Sequence, residues 1–304
     1  MMDLRIFGRL LRGVPRAPDL SLNEEKTRAF DAMLASALAR NGVIEYDAPY
    51  PKHEFLSYMV KYKKLLLHGS NNPNIKYMIP VRMLREADKT RFDNLDAVYA
   101  TGDGIWPIFY AVANRKCPHF SVRTTCFRAA DETGRERTHY YFSIDREMLK
   151  GQPWVDATIY LLPSDTFRQL RNTLGEPLEE WASDESVSVL AKLPVTPADF
   201  PFLDAVRTHS TEAEHSIERA QAFDAYAGRY ELAPNLILDV TKIHDTLFAK
   251  LPGYPPVNLY PTSEAEFQTE IIDARITFKP GKGSGASQLT LHLEGLEIPA
   301  RRIG

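Results

Sequence analysis

The chain has 304 residues, with 37 Lys and Arg against 40 Asp and Glu, for a net charge of −3. Ordinary apolar content with balanced charge excludes a disordered chain, and near-neutrality excludes a broad nucleic-acid surface. No apolar run reaches the ~18 residues of a spanning helix, and Cys117 and Cys126 are too few for a disulfide framework, so they read as reduced thiols of a cytoplasmic protein.

At the start, Arg5, Arg9, Arg12 and Arg16 alternate with Leu4, Phe7, Leu10, Leu11 and Val14. That spacing predicts a short basic amphipathic helix docked on the protein's own body. Leu20 to Arg40 follows as a helix, with Ser21 and Glu24 at capping-box spacing. Glu54 to Lys61 reads as a second helix, Lys64 to His68 as a buried strand and Asp96 to Ala100 as another. Trp106 to Asn114 is helical, with Pro107 tolerated in its first turn. Strands are expected over His139–Ile144, Ala157–Leu162 and Ser186–Val195, and Thr196-Pro-Ala-Asp199 has the composition of a capped helix start. This mixture, without regular βαβ alternation, predicts an α+β domain.

The character of the chain changes near residue 210. Thr208 to Ala220 is polar and reads as a linker or a linking helix. Short strand-like runs then recur between turn residues, from Tyr226–Glu231 to Glu297–Arg302, the pattern of a small antiparallel barrel or sandwich. Lys279-Pro-Gly-Lys-Gly-Ser-Gly285 is glycine-rich, but it lacks phosphate-loop order and joins two strands, so a hairpin loop is expected. The resulting boundaries are 1–208 for the α+β domain, 209–221 for the linker and 222–304 for the barrel.

Several chemistries are excluded by absent motifs. There is no GxSxG elbow, no serine with lysine three positions later and no HExxH, and the cysteines do not form a CxxC pair. No metal site is expected. The informative segments are Leu65-Leu-Leu-His-Gly-Ser-Asn71 and Ala97-Val-Tyr-Ala-Thr-Gly-Asp-Gly-Ile-Trp-Pro-Ile-Phe-Tyr-Ala111. They put His68, Gly69 and Ser70 at one strand tip and Tyr99 and Ala100 at another, with Tyr110 on the following helix. Gly69 would leave backbone open to a ligand, and two such tyrosines are suited to holding a flat ring.

These residues resemble the NAD-binding signature of ADP-ribosyltransferases of the diphtheria-toxin/poly-ADP-ribose-polymerase type, in which His, Tyr and Glu stand on three strands. The resemblance spans roughly residues 54 to 206 and implies a split sheet with helices. It implies that NAD is the substrate. His68 would bind the adenosine-side ribose, Gly69 and Ser70 the carboxamide, and Tyr99, Ala100 and Tyr110 the nicotinamide pocket. A glutamate would stabilise the cationic sugar. Two candidates follow: Glu185, ranked first because it directly precedes the strand expected at Ser186, and Glu180, in Glu-Trp-Ala-Ser, ranked second. Pro107 departs from the small polar residue that related enzymes often carry. The acceptor is left open between protein, nucleic acid, small molecule and water. A non-catalytic NAD- or partner-binding module is the alternative. An RNA 2′-phosphate transferase is a third reading, with Arg82, Arg85, Lys89 and Arg91 as its basic residues.

The C-terminal runs Tyr226-Ala-Gly-Arg-Tyr-Glu-Leu-Ala-Pro234, Leu259-Tyr-Pro-Thr-Ser-Glu-Ala-Glu-Phe267 and Pro299-Ala-Arg-Arg302 resemble a second group. It is the lipocalin-like β-domain appended to serine β-lactamase-type hydrolases, and the resemblance implies an accessory barrel here.

Overall fold

The computed structural model describes residues 11, 13–82, 96–130, 133–171, 175–209, 223–234, 236–243, 246–254, 256–269, 274–281, 285–293 and 295–304. The helix expected at the N-terminus and the linker core lie largely outside these. The chain forms two compact units. One comprises Ala17–Val122 and Phe142–Thr208; the other comprises Met1–Arg16, Arg123–Tyr141 and His209–Gly304. The units therefore interleave along the chain, unlike the single cut after residue 208 suggested by composition.

In the first unit, α1 (Glu24–Ala39) starts where the Asn23 side chain accepts the Lys26 amide at 2.7 Å. Asn23 thus takes the capping role expected of Ser21, whose carbonyl instead accepts Lys26 Nζ at 3.0 Å. Helix α2 (Lys52–Lys63) follows Pro51 and stops at Lys64, which is left-handed with φ 58°. Phe30 of α1 meets Phe55 of α2 edge-on, with centroids 5.4 Å apart.

The left-handed Lys64 delays the next strand, so β1 runs Leu66–Ser70 and His68 lies within it, not at its end. Further along come β2 (Tyr77–Met78), β3 (Val81–Arg82), β4 (Asp96–Thr101) and helix α3 (Trp106–Val112). After them come β5 (Val122–Ala130), β6 (Glu136–Asp145), β7 (Ala157–Leu162), β8 (Arg168–Arg171) and β9 (Pro177–Ser183). The strand expected over Ser186–Val195 is two, β10 (Val187–Ser188) and β11 (Ala191–Val195), because β10 pairs with β2 while β11 pairs with β7. The main sheet has the order β11-β7-β1-β4-β9-β8, with β3 also on β4. The short β12 (Arg207–His209) joins β6 and β5 in a separate sheet.

The two sheet faces are filled differently. Leu66, Val98, Ala100, Tyr160 and Leu162 pack on one face with Met78 and Val187 from the β2–β10 ribbon. On the other, α3 lies against β1 so closely that a Cβ at Gly69 would stand 2.2 Å from the Pro107 carbonyl oxygen. The absence of a side chain at Gly69 thus lets the helix approach the strand.

The second unit is built on a closed antiparallel barrel. Its strands are β13 (Gly228–Ala233), β14 (Leu236–Ile243), β15 (Thr246–Lys250), β16 (Val257–Pro261), β17 (Glu266–Thr269), β18 (Ala274–Pro280), β19 (Ala286–Leu293) and β20 (Leu296–Arg302). Each pairs with the next, and β13 closes on β20 through Tyr230↔Arg302. The glycine-rich segment joins the paired strands β18 and β19, as a hairpin loop should. Alternating residues fill the interior, among them Tyr230, Leu247, Phe267, Phe278 and Leu289, all at most 2% exposed. Against the wall at Tyr254 and Val257 lie Leu11, Val14, Phe127, Ala129 and Tyr141. That patch packs most of the β5–β6 hairpin and the N-terminal segment against the barrel, within one unit. The structure is therefore α+β with an eight-stranded antiparallel barrel.

Candidate functional site

The pairing of β1 makes an opening in the main sheet. It pairs with β7 along its whole length, from Leu66↔Leu162 to Ser70↔Thr158, but with β4 only at Leu67↔Thr101. Beyond that point β4 pairs with β3, at Val81↔Ala97 and Arg82↔Asp96. The sheet is thus split between β1 and β4, and a cleft lies at the split, lined by residues of β1, β4, β9 and α3.

His68 stands at the point of divergence. Its Nδ1 lies 2.7 Å from the Tyr99 carbonyl oxygen, across the gap where ladder bonds have ended. A carbonyl only accepts, so Nδ1 carries the proton and Nε2 has the lone pair. Burial pushes the imidazole below its ordinary 6.5; the Tyr99 bond opposes this and the Arg115 charge adds to it. The ring is therefore a neutral hydrogen-bond acceptor in a cleft wall.

One row of side chains crosses three strands. Leu67 is paired with Thr101, and Thr101 with Glu180 of β9. Directly paired residues share a face with Cβ atoms about 5 Å apart, so Glu180 stands beside Thr101 in the cleft wall. Thr101 is fixed in turn, its Oγ1 donating to the Glu179 carbonyl at 2.7 Å and accepting the Asp103 amide at 3.1 Å.

Aromatic rings come from other elements. Tyr99 enters from β4, and Trp106 and Tyr110 from α3. The Trp106 and Tyr110 rings lie 6.0 Å apart, tilted by 52°. Asp103 holds the start of α3, accepting the Ile105 and Trp106 amides at 2.8 and 2.7 Å. Its acidic side chain suits the positive end of the helix.

The candidate residues separate clearly. His68, Gly69, Tyr99, Ala100, Tyr110 and Glu180 line the cleft. Ser70 is not among its lining; its Oγ accepts the Asn72 amide at 3.1 Å and shapes the turn after β1. Of the two glutamates, Glu180 lines the cleft and Glu185 does not. Glu185 is exposed in the turn between β9 and β10, where its amide donates to Ser183 Oγ at 3.2 Å. The strand expected to follow Glu185 starts only at Val187 and is two residues long, whereas the acid beside β4 stands on β9. Arg85, Lys89 and Arg91, and the Arg82 side chain, lie outside the described residues.

Two contributors went unremarked in the sequence. Asp103 sits just ahead of the helix in Thr-Gly-Asp-Gly, a legible N-terminal signal. Arg115 follows the same helix and lines the cleft; a basic residue after a ring-bearing helix was its only mark. Among the described residues no group of three or more His, Cys, Asp or Glu gathers to hold a metal ion, and no helix is long and apolar enough to cross a membrane. Comparison of the chain with protein-family models, with curated proteins and with solved structures finds no significant match.

Proposed function

We propose that the cleft binds NAD and that the protein transfers its ADP-ribosyl group with release of nicotinamide. One observation carries the reading: His68, Tyr99, Tyr110 and Glu180, far apart in sequence, meet at one split in the sheet. His68, Tyr99 and Glu180 stand on three neighbouring strands, as the resemblance to the diphtheria-toxin/poly-ADP-ribose-polymerase type requires.

The chemistry follows from these groups. The bond between the nicotinamide nitrogen and the ribose C1′ breaks, and its electron pair leaves with nicotinamide. The sugar becomes oxocarbenium-like, and the Glu180 carboxylate stabilises that charge. A lone pair of the acceptor then bonds to C1′, and the acceptor gives up its proton. His68 Nε2 receives a ribose hydroxyl, while Tyr99 and Tyr110 hold the nicotinamide ring. The acceptor is a protein, a nucleic acid, a small molecule or water. The barrel serves as an accessory domain related to the lipocalin-like type.

Incubating the purified protein with NAD tests this. Nicotinamide should appear in amounts matching an ADP-ribosyl product, and that product is free ADP-ribose if water is the acceptor. NAD that binds but is recovered intact would instead make the protein a non-catalytic NAD-binding module. A protein that neither binds nor cleaves NAD would refute the reading.

A further inference from the structure

Arg115 belongs to none of the roles assigned above. Among the described residues lining the cleft it carries the one permanent positive charge, beside Tyr99, Ala100, Trp106 and Tyr110. Its backbone is held in place. The Arg115 amide donates to Asn71 Oδ1 at 3.0 Å, and Asn71 Nδ2 donates to the carbonyls of Ala113, at 3.2 Å, and Ala111. Asn71 immediately follows β1, so one side chain ties the end of that strand to the end of α3 and sets where Arg115 emerges. The Arg115 guanidinium also lies 5.6 Å from the centre of the Phe120 ring, a contact that limits its motion. Its charge reaches the cleft interior, where it acts on the His68 imidazole.

Arg115 and Glu180 hang from opposite sides of the split. Glu180 is on β9, beyond β4, whereas Arg115 is tied to the end of β1. A ligand lying across the split therefore meets a carboxylate from one side and a guanidinium from the other. NAD carries complementary charges, a cationic pyridinium at one end and an anionic pyrophosphate in the middle. We propose that Arg115 binds the pyrophosphate and so orients the dinucleotide with its pyridinium toward Glu180. A guanidinium suits this task because its planar fork matches two phosphate oxygens at once. The cleft would then select a phosphate-bearing dinucleotide over the nucleoside that carries the same reactive bond. This inference rests on the reading of the cleft as an NAD site.

The test is equilibrium binding of two probes, carba-NAD, which is not cleaved, and nicotinamide riboside, which lacks phosphate. Each is measured with the wild-type chain, Arg115→Gln and Arg115→Lys. Arg115→Gln should weaken carba-NAD binding by about 10- to 100-fold, the worth of a charge-assisted phosphate contact. It should leave nicotinamide riboside within about twofold and flatten the salt dependence of carba-NAD binding. Arg115→Lys should fall between, since it keeps the charge and loses the fork. The Asn71 anchor uses the backbone of residue 115 and survives both substitutions, and the melting temperature of each variant separates lost packing, such as the Phe120 contact, from lost phosphate binding. Unchanged carba-NAD binding in Arg115→Gln would overturn the proposal, and so would equal losses for both probes. A wild-type chain that binds neither probe would remove the NAD reading itself, and this proposal with it.

Discussion

At the scale of the residue, adjacent positions of β1 have opposite duties. Gly69 is steric. An alanine there would place its Cβ against the Pro107 carbonyl at 2.2 Å and the Ala111 amide nitrogen at 2.9 Å, both backbone atoms. Gly69→Ala should lower stability by about 1–3 kcal/mol, the usual cost of overpacking, as read by denaturant unfolding. His68 is electrostatic. Its folded pKa lies below the ordinary 6.5, so the unfolded chain takes up its proton more readily. The stability it contributes is full above pH 6.5 and is lost as pH falls toward the folded value. The melting temperature should therefore drop between pH 7.5 and pH 5, and His68→Gln should drop less. His53, whose pKa burial also lowers, contributes in the same direction, so some pH dependence should survive in that variant. The residue types of the site were legible in the sequence, since His68, Tyr99, Tyr110 and an acidic pair were visible there. Which glutamate stands beside β4 was not, because that depends on which short run pairs with β4, a nonlocal contact made by β9.

At the scale of the element, the ends of helices place the site. Helix α3 carries Trp106, Pro107 and Tyr110 into the cleft, and Asp103 caps its first amides. Asp103→Ala should lower stability by about 0.5–2 kcal/mol, as loss of a cap does, and should weaken carba-NAD binding because the ring-bearing helix loses its anchor. Asp103→Asn should retain most of both. Lys64 ends α2 in the left-handed region at φ 58°, where glycine is at ease. Lys64→Gly should therefore raise stability by about 0.5–1 kcal/mol, measured as a shift in denaturant midpoint. Helices α1, α2 and α3 were readable as elements, although α1 is capped by Asn23 and not by the expected Ser21. Strand β9 was not, because Glu179 and Glu180 in its middle gave Pro177–Ser183 the look of a solvated acidic face. Only Glu180 of the two lines the cleft, since adjacent strand residues point to opposite faces.

At the scale of the whole molecule, the C-terminal barrel announced itself through evenly spaced strands and turns, a pattern set by local residues. What the sequence concealed was that most of the β5–β6 hairpin, Arg123–Tyr141, and the N-terminal segment belong to the barrel's unit. That grouping depends on contacts between Phe127, Tyr141, Tyr254 and Val257, more than a hundred residues apart along the chain, which no periodicity reports. A fragment ending at Thr208 would leave Leu11, Val14, Phe127, Ala129 and Tyr141 without Tyr254 and Val257. Apolar patches of this kind bind dyes and promote association. Such a fragment should bind anilinonaphthalene sulfonate and elute as aggregate in size-exclusion chromatography, whereas the full chain should do neither.

The central claim is that the split between β1 and β4 is a site of NAD cleavage with Glu180 as its acid. The most direct measurement is the rate of nicotinamide release from NAD by the wild-type chain, Glu180→Gln and Glu185→Gln side by side. The wild type should release nicotinamide, Glu180→Gln should lose about 100-fold or more in rate with KM for NAD within a few-fold, and Glu185→Gln should keep the wild-type rate. No release by the wild type would contradict it, as would a Glu180→Gln variant that still cleaves NAD at the wild-type rate.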